Sequence, residues 1–331
     1  MSRLANLIGR TGRVVLPVIF LIVFLINLSL GSVHVRITKI FSLLFESENS
    51  TERYLIWNLR FPRVLMATLT GIALSTVGNV FQAIMKNPLV DPYIVGTSAG
   101  ASFGALLAIY FTVNSIAHIS IPLMSFLFAI FASFLTIFLA KKNGIIPIIY
   151  LVLSGVLVST MFSAGSMLLL NIANKTLVSG HVWLYGTFSG MTISDTLMPA
   201  VSLSLFLISA FIFSKHLDAM TLGEKEARSL GVNVEFVKWY FYLLGSFVTA
   251  TFVSKTGIIG FVGLIVPHMA RILFGPKFKK NLIGTILIGG IFLSLCDTIS
   301  RTILNPVEIP VGIVTSLIGA PFMFWLLKSR K

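Results

Sequence analysis

The chain has 331 residues, 56% hydrophobic and only 11% charged, with a mean hydropathy of +0.95 and a formal net charge of +14. A soluble globule carries about 25% charged residues, so the composition excludes an ordinary soluble domain. A single cysteine, Cys296, excludes an intrachain disulfide and a cysteine-based metal site.

Apolar runs of bilayer-crossing length recur along the whole chain. They predict an all-α, polytopic membrane protein with about ten transmembrane helices in a single transmembrane domain over 1–331. The spans fall near 14–33, 62–85, 93–113, 119–140, 145–170, 191–213, 237–254, 257–274, 282–304 and 309–327. The first follows Arg3, Arg10 and Arg13 and has no convincing small-residue cleavage site, so it reads as an uncleaved span. Between the second and third spans, Asn87-Pro88 and Asp91-Pro92 form a rigid turn. Neither proline donates to a helix ladder, and each turns the preceding residue away from the helical region. The small-residue run Gly96 to Gly104 then lets backbones approach closely inside a bundle.

The loop from Asn143 to Ile149, containing Pro147, is otherwise apolar. The fifth span carries Ser154, Ser159, Ser163 and Ser166, residue types that serve helix packing as readily as a polar path. Gly260, Gly263 and Pro267 make the eighth segment irregular, which membrane depth tolerates only where backbone is buried or lines a cavity. Asp297 is nearly alone as an intramembrane carboxylate and sits four residues before Arg301, the spacing of a helical ion pair. His268 reads as a hydrogen-bonded structural histidine, because the other four histidines are scattered.

Ten spans put both ends on one side. With the N-terminus in the cytoplasm, about two thirds of the Lys and Arg fall inside, which sets the orientation and accounts for the net charge. No basic stretch is interleaved with exposed aromatics, so nucleic acid is not an expected partner.

The loop at about 214–236 is too long for a tight turn. Thr221 and Glu224 have capping-box spacing and predict a short helix starting there. Gly231 is placed to end it, and Asn233 to cap a second one. Leu222, Ala227, Leu230 and Val232 would form an apolar seam between charged flanks. On these residues alone, a helical loop on the bilayer surface and a docking element for a partner stand level. The chain has no Gly-x-x-x-x-Gly-Lys-Ser/Thr loop, so an energy source would come from a partner.

Six or more motifs between about residues 58 and 327 resemble, in order, the transmembrane permease subunit of ABC importers for iron-siderophores, haem and vitamin B12. They are Arg60-Phe61-Pro62-Arg63; Asn87 to Gly104; Trp183-Leu184-Tyr185-Gly186; Leu222-Gly223-Glu224 with Ala227 and Leu230-Gly231-Val232; Gly257 to Arg271; Asp297 to Arg301; and Pro310-Val311-Gly312 with Gly319-Ala320-Pro321. The resemblance implies that Leu222, Gly223, Glu224, Ala227, Leu230 and Gly231 dock into an ATP-binding subunit. It implies that Arg60, Arg63 and Arg301 pair with glutamates of a substrate-binding protein, although snorkelling to headgroups is the plainer reading of any one of them. It implies a path along Ser154, Ser159, Ser163 and Ser166 and an inner gate near Asn143 and Pro147. The implied assembly is a homodimer in the cytoplasmic membrane, with two ATPase subunits and a binding protein. No cofactor or metal is expected on this chain; ATP and Mg belong to the partner.

The expected function is therefore a non-enzymatic permease subunit that imports an iron(III)-siderophore, with cobalamin or haem as alternatives. An ion-coupled secondary transporter would place several charges at mid-membrane, where Asp297 is nearly alone. An intramembrane enzyme would need a catalytic pair at helical spacing, and none is present.

Overall fold

The computed structural model describes residues 2–31, 35–36, 39–40, 51–172, 183–304 and 307–329. Much of the stretch at 33–57 between the first two predicted spans, and the terminal charges Arg330 and Lys331, therefore lie outside the described residues. The described elements are α1 (Ser2–Ser29), α2 (Phe61–Ile84), α3 (Thr97–Val113), α4 (Ile121–Ala140), α5 (Ile148–Ile172), α6 (Ile193–Ile212), α7 (Ser214–Leu222), α8 (Glu224–Ser229), α9 (Val234–Thr256), α10 (Val262–Phe274), α11 (Phe278–Thr302) and α12 (Val311–Ser329). Among the described residues six helices are long and apolar enough to cross a bilayer, and Val15–Ser29, Thr97–Val113, Val262–Phe274 and Val311–Leu326 are shorter apolar helices. Together they account for the ten predicted spans.

The second span starts earlier than predicted, since helix runs without a break over Thr51–Ile84. A π turn at Leu55–Arg60 makes this possible: the Phe61 N–H bonds to Ile56 O, five residues back. The wide turn shifts the ladder just before Pro62, whose missing N–H would otherwise interrupt it. The eighth span starts later than predicted, at Val262, because 257–261 is not helical.

The chain divides into two units. The first contains residues 1–76, 188–201 and 260–331. Here α11 packs against α1, α10 and α12. Polar side chains stitch α11 to its neighbours: Ser75 Oγ of α2 donates to Thr285 O at 3.2 Å, and Thr298 Oγ1 donates to Asn27 Oδ1 of α1. The second unit contains residues 77–187 and 202–259. In it α3 packs on α4, α5 and α9. The small-residue run at the start of α3 acts as predicted. A Cβ on Gly100 would overlap the Phe128 carbonyl, so α3 and α4 meet backbone to backbone.

The turn between α2 and α3 is closed by two side chains. Asn87 Oδ1 accepts the Leu89 N–H at 3.0 Å, and Asp91 Oδ1 accepts the Tyr93 N–H at 3.1 Å. Pro88 and Pro92 each follow one of these acceptors. The Gln82 amide donates to Val90 O at 3.0 Å and ties the turn to the end of α2.

Candidate functional site

In the first unit, the arginines predicted to face water are turned inward. Arg60 and Arg301 are 6% and 7% exposed. Arg60 Nη1 donates to Leu28 O at 3.1 Å and Ser29 O at 3.0 Å, and Arg301 Nη2 donates to Asn27 O. Two guanidinium groups thus serve the last carbonyls of α1, groups that a helix leaves unbonded and that carry its negative end.

Arg63 is committed to two carboxylates. Its Nη2 lies 2.9 Å and its Nε 3.1 Å from Asp297 Oδ1, while its Nη1 lies 2.9 Å from both oxygens of Glu308. The expected helical pair between Asp297 and Arg301 is secondary, at 3.8 Å. A planar fork reaching across from α2 gives Asp297 better geometry than an arginine on its own helix. The side chain of Glu308 is 43% exposed, against 2% for Asp297. Leu59, Gly190, Arg60, Arg63, Arg301 and Glu308 help line a pocket of about 250 Å³.

In the second unit, the loop between α6 and α9 forms two short helices, but not where the capping box predicted. Thr221 is in the last turn of α7 and its hydroxyl donates back to Asp218 O at 2.6 Å. The break falls at Gly223, whose φ of 136° is poorly open to other residues, and where a Cβ would meet the Glu226 carboxylate. Leu230 follows α8, and Gly231 turns the chain at φ 82°. Asn233 Oδ1 accepts the Phe236 N–H at 3.1 Å, so it caps α9 itself rather than another short helix. Leu222 and Leu230 are exposed, while Ala227 is buried. The predicted seam therefore splits into an outward pair and an inward anchor.

Charged residues hold this loop in place. Lys86 Nζ donates to Leu222 O at 2.5 Å. Lys238, with a side chain 0% exposed, lies 2.6 Å from Glu224 Oε1 and 3.3 Å from Glu235 Oε1, and donates to Ile146 O at 2.8 Å. Glu235 in turn accepts the Ile146 N–H at 3.0 Å and an Arg228 N–H at 3.0 Å. Sequence reading assigned no role to Glu235 or Lys238. A lysine four residues inside an apolar helix, followed by Trp239 and Tyr240, was the available signal.

The loop at 141–147 is exposed up to Ile145, with Asn143 at a positive φ of 51°, and Ile146 is buried. Pro147 O accepts the Leu151 N–H at 3.0 Å and starts α5. The four serines of α5 do not share a face. Ser154 and Ser166 are buried within this chain, with Ser166 Oγ donating to Phe162 O, whereas Ser159 is half-buried and Ser163 exposed. Leu153, Leu157, Met161, Met167 and Leu168 leave a broad exposed apolar face on the same helix.

The model of the FecCD transport family matches residues 19–329. The chain belongs to the FecCD transport family. A Helicobacter pylori protein described as a probable iron chelatin transport system permease is 37% identical over 286 residues, covering 86% of this chain and 85% of the relative. A cobalamin import system permease protein of Halobacterium salinarum is also 37% identical, over 283 residues, covering 85% and 75% of the two chains. Among solved structures, an inward-facing conformation described as that of a metal-chelate type ABC transporter superposes with a TM-score of 0.83 at 31% identity, covering 95% of this chain and 97% of the other. FecCD membership makes this chain a multi-span ABC permease, as its motifs implied.

Proposed function

We propose that this FecCD permease imports an iron(III)-siderophore, driven by a separate ATPase that docks on α7, α8 and the residues that follow. The supporting observation is the outward pair Leu222 and Leu230. They are exposed on a loop whose backbone is pinned by Lys86 and Lys238, an apolar surface offered on a rigid mount. Gly223 and Gly231 shape the backbone there, and Glu224 and Ala227 hold the loop to its own chain.

In this reading both termini are cytoplasmic, two copies pair through the exposed face of α5, and the substrate passes beside Ser159 and Ser163. Asn143 and Pro147 frame the cytoplasmic end of that route. The region of Arg60, Arg63 and Arg301 receives the substrate-binding protein, with Glu308 and the pocket as its reachable groups and the buried arginines as its base. ATP and Mg act on the partner subunit. Cobalamin or haem is the alternative cargo. An uptake panel with the ATPase and binding protein, comparing ferric siderophores, cobalamin and haem at equal concentration, decides it. Uptake of only cobalamin or only haem would overturn the siderophore assignment.

A further inference from the structure

The turn between α4 and α5 is held from outside by charge. Lys142 and Ile145 bond to each other across it, at 2.9 and 3.0 Å. Ile146, the next residue, gives both of its backbone polar groups to α9: its N–H to Glu235 and its carbonyl to Lys238. These two side chains sit one helical turn apart, so they grip a single residue from both sides. The same side chains also hold α8, Lys238 through Glu224 and Glu235 through Arg228. Ile146 is thus joined to α8 through two charged side chains on a third element.

A buried ammonium tolerates no loss of partners, because an uncompensated charge in that environment is strongly unfavourable. A displacement of α8 that carried Glu224 away would leave Lys238 one carboxylate short. The low-energy response is for Lys238, and with it Ile146, to follow. Pro147 starts α5 immediately afterwards, so the displacement would arrive at the first turn of that helix.

We propose that Glu235 and Lys238 are positioning residues of the transport cycle, forming a clamp that delivers movement of the motor-facing loop to the 141–147 turn and the start of α5. This rests on the reading of that loop as the ATPase-docking surface. Lys238 is wholly buried within this chain, and Glu235 is mostly so.

The test uses the full chain in complex with its ATPase in nanodiscs, carrying Ile145→Cys at an exposed position and Cys296→Ser to remove the native thiol. Maleimide labelling at 145 is timed with and without a non-hydrolysable ATP analogue and Mg. The wild-type background is expected to change its labelling rate about tenfold on nucleotide binding, within the usual range of coupling between sites. Glu235→Gln keeps the shape and an acceptor for the Ile146 N–H, yet removes the charge that holds Arg228 and Lys238. It should leave the ATPase bound and erase most of the nucleotide response. Lys238→Met should do the same, and if it does not fold, Glu235→Gln decides alone. A merely structural role would lower stability and leave the response intact. A full response in Glu235→Gln with the ATPase bound would overturn the clamp, as would an unresponsive wild type. Normal ATPase binding by Leu230→Asp would instead overturn the docking reading, which separates the two failures.

Discussion

Arg63→Met is the substitution whose effect the structure fixes most closely. It removes the bidentate partner of Asp297, a carboxylate whose side chain is 2% exposed. Breaking a buried ion pair from one side costs about 3–5 kcal/mol, because the surviving charge stays buried. Arg301 remains 3.8 Å away and relieves part of that, which places the expected loss near the lower end, at about 3 kcal/mol. Glu308→Gln touches the same guanidinium from the exposed side and should cost less than about 1 kcal/mol. Arg63→Met combined with Asp297→Leu should recover part of the loss, since the stranded carboxylate is gone while Arg301 gives up its partner at 3.8 Å. Equilibrium unfolding in mixed micelles of wild type, Arg63→Met, Asp297→Leu and their combination, a complete double-mutant cycle with Glu308→Gln run beside it, measures these terms. An Arg63→Met loss of under about 1 kcal/mol would mean that Asp297 is not buried against charge as described. A double variant no more stable than the single one would refute the argument by a second route.

Other outcomes follow from the same structure. Leu230→Asp and Gly223→Arg should each abolish co-purification of the ATPase, the first by charging the docking surface and the second by forcing a side chain onto a φ of 136° beside Glu226; pull-down from membranes reads this directly. Burial pushes the Asp91 carboxyl up to about 6, against two-residue hydrogen bonding that pulls it down. A carboxyl raised in the folded state gives stability that is complete below its ordinary value near 4 and is lost as pH rises through 6. Melting curves should therefore show wild type losing stability relative to Asp91→Asn between pH 4 and 7, and a constant difference would contradict the burial. Native mass spectrometry should find two copies of this chain per complex, and Leu157→Glu with Met161→Glu on the exposed face of α5 should reduce it to one.

Much of the fold was legible because membrane helices follow a local rule. A run of apolar residues ended by Gly, Pro or charge is nearly the whole signal, and the ten segments appear within a few residues of their predicted places. The exceptions have physical causes. The π turn before Pro62 carries the helix of the second span back to Thr51, ahead of its predicted start at 62. Gly223 outweighs the Thr221–Glu224 spacing, since a capping box needs the chain to enter the helix at its threonine. The sites were less legible. Arg63 and Asp297 are 234 positions apart, and no local rule prefers that pair to Asp297 and Arg301, four apart on one helix. Arginines near a span end read as outward docking groups, while the structure uses Arg60 and Arg301 on the open carbonyls of α1. The apolar residues of the 214–236 loop were expected to form one seam, but Leu222 and Leu230 point out while Ala227 is buried, and the buried Lys238 that holds the loop was counted only as a charge for orientation.

The central claim is ATP-driven import through a docked motor. Its most direct measurement is radiolabelled ferric-siderophore uptake by proteoliposomes holding this chain and its ATPase, with binding protein outside and ATP enclosed. Uptake should require enclosed ATP, persist when ionophores collapse every ion gradient, and disappear with Leu230→Asp. Uptake without the ATPase, or uptake that ionophores abolish while ATP remains, would contradict the account and return the chain to the class of ion-coupled transporters.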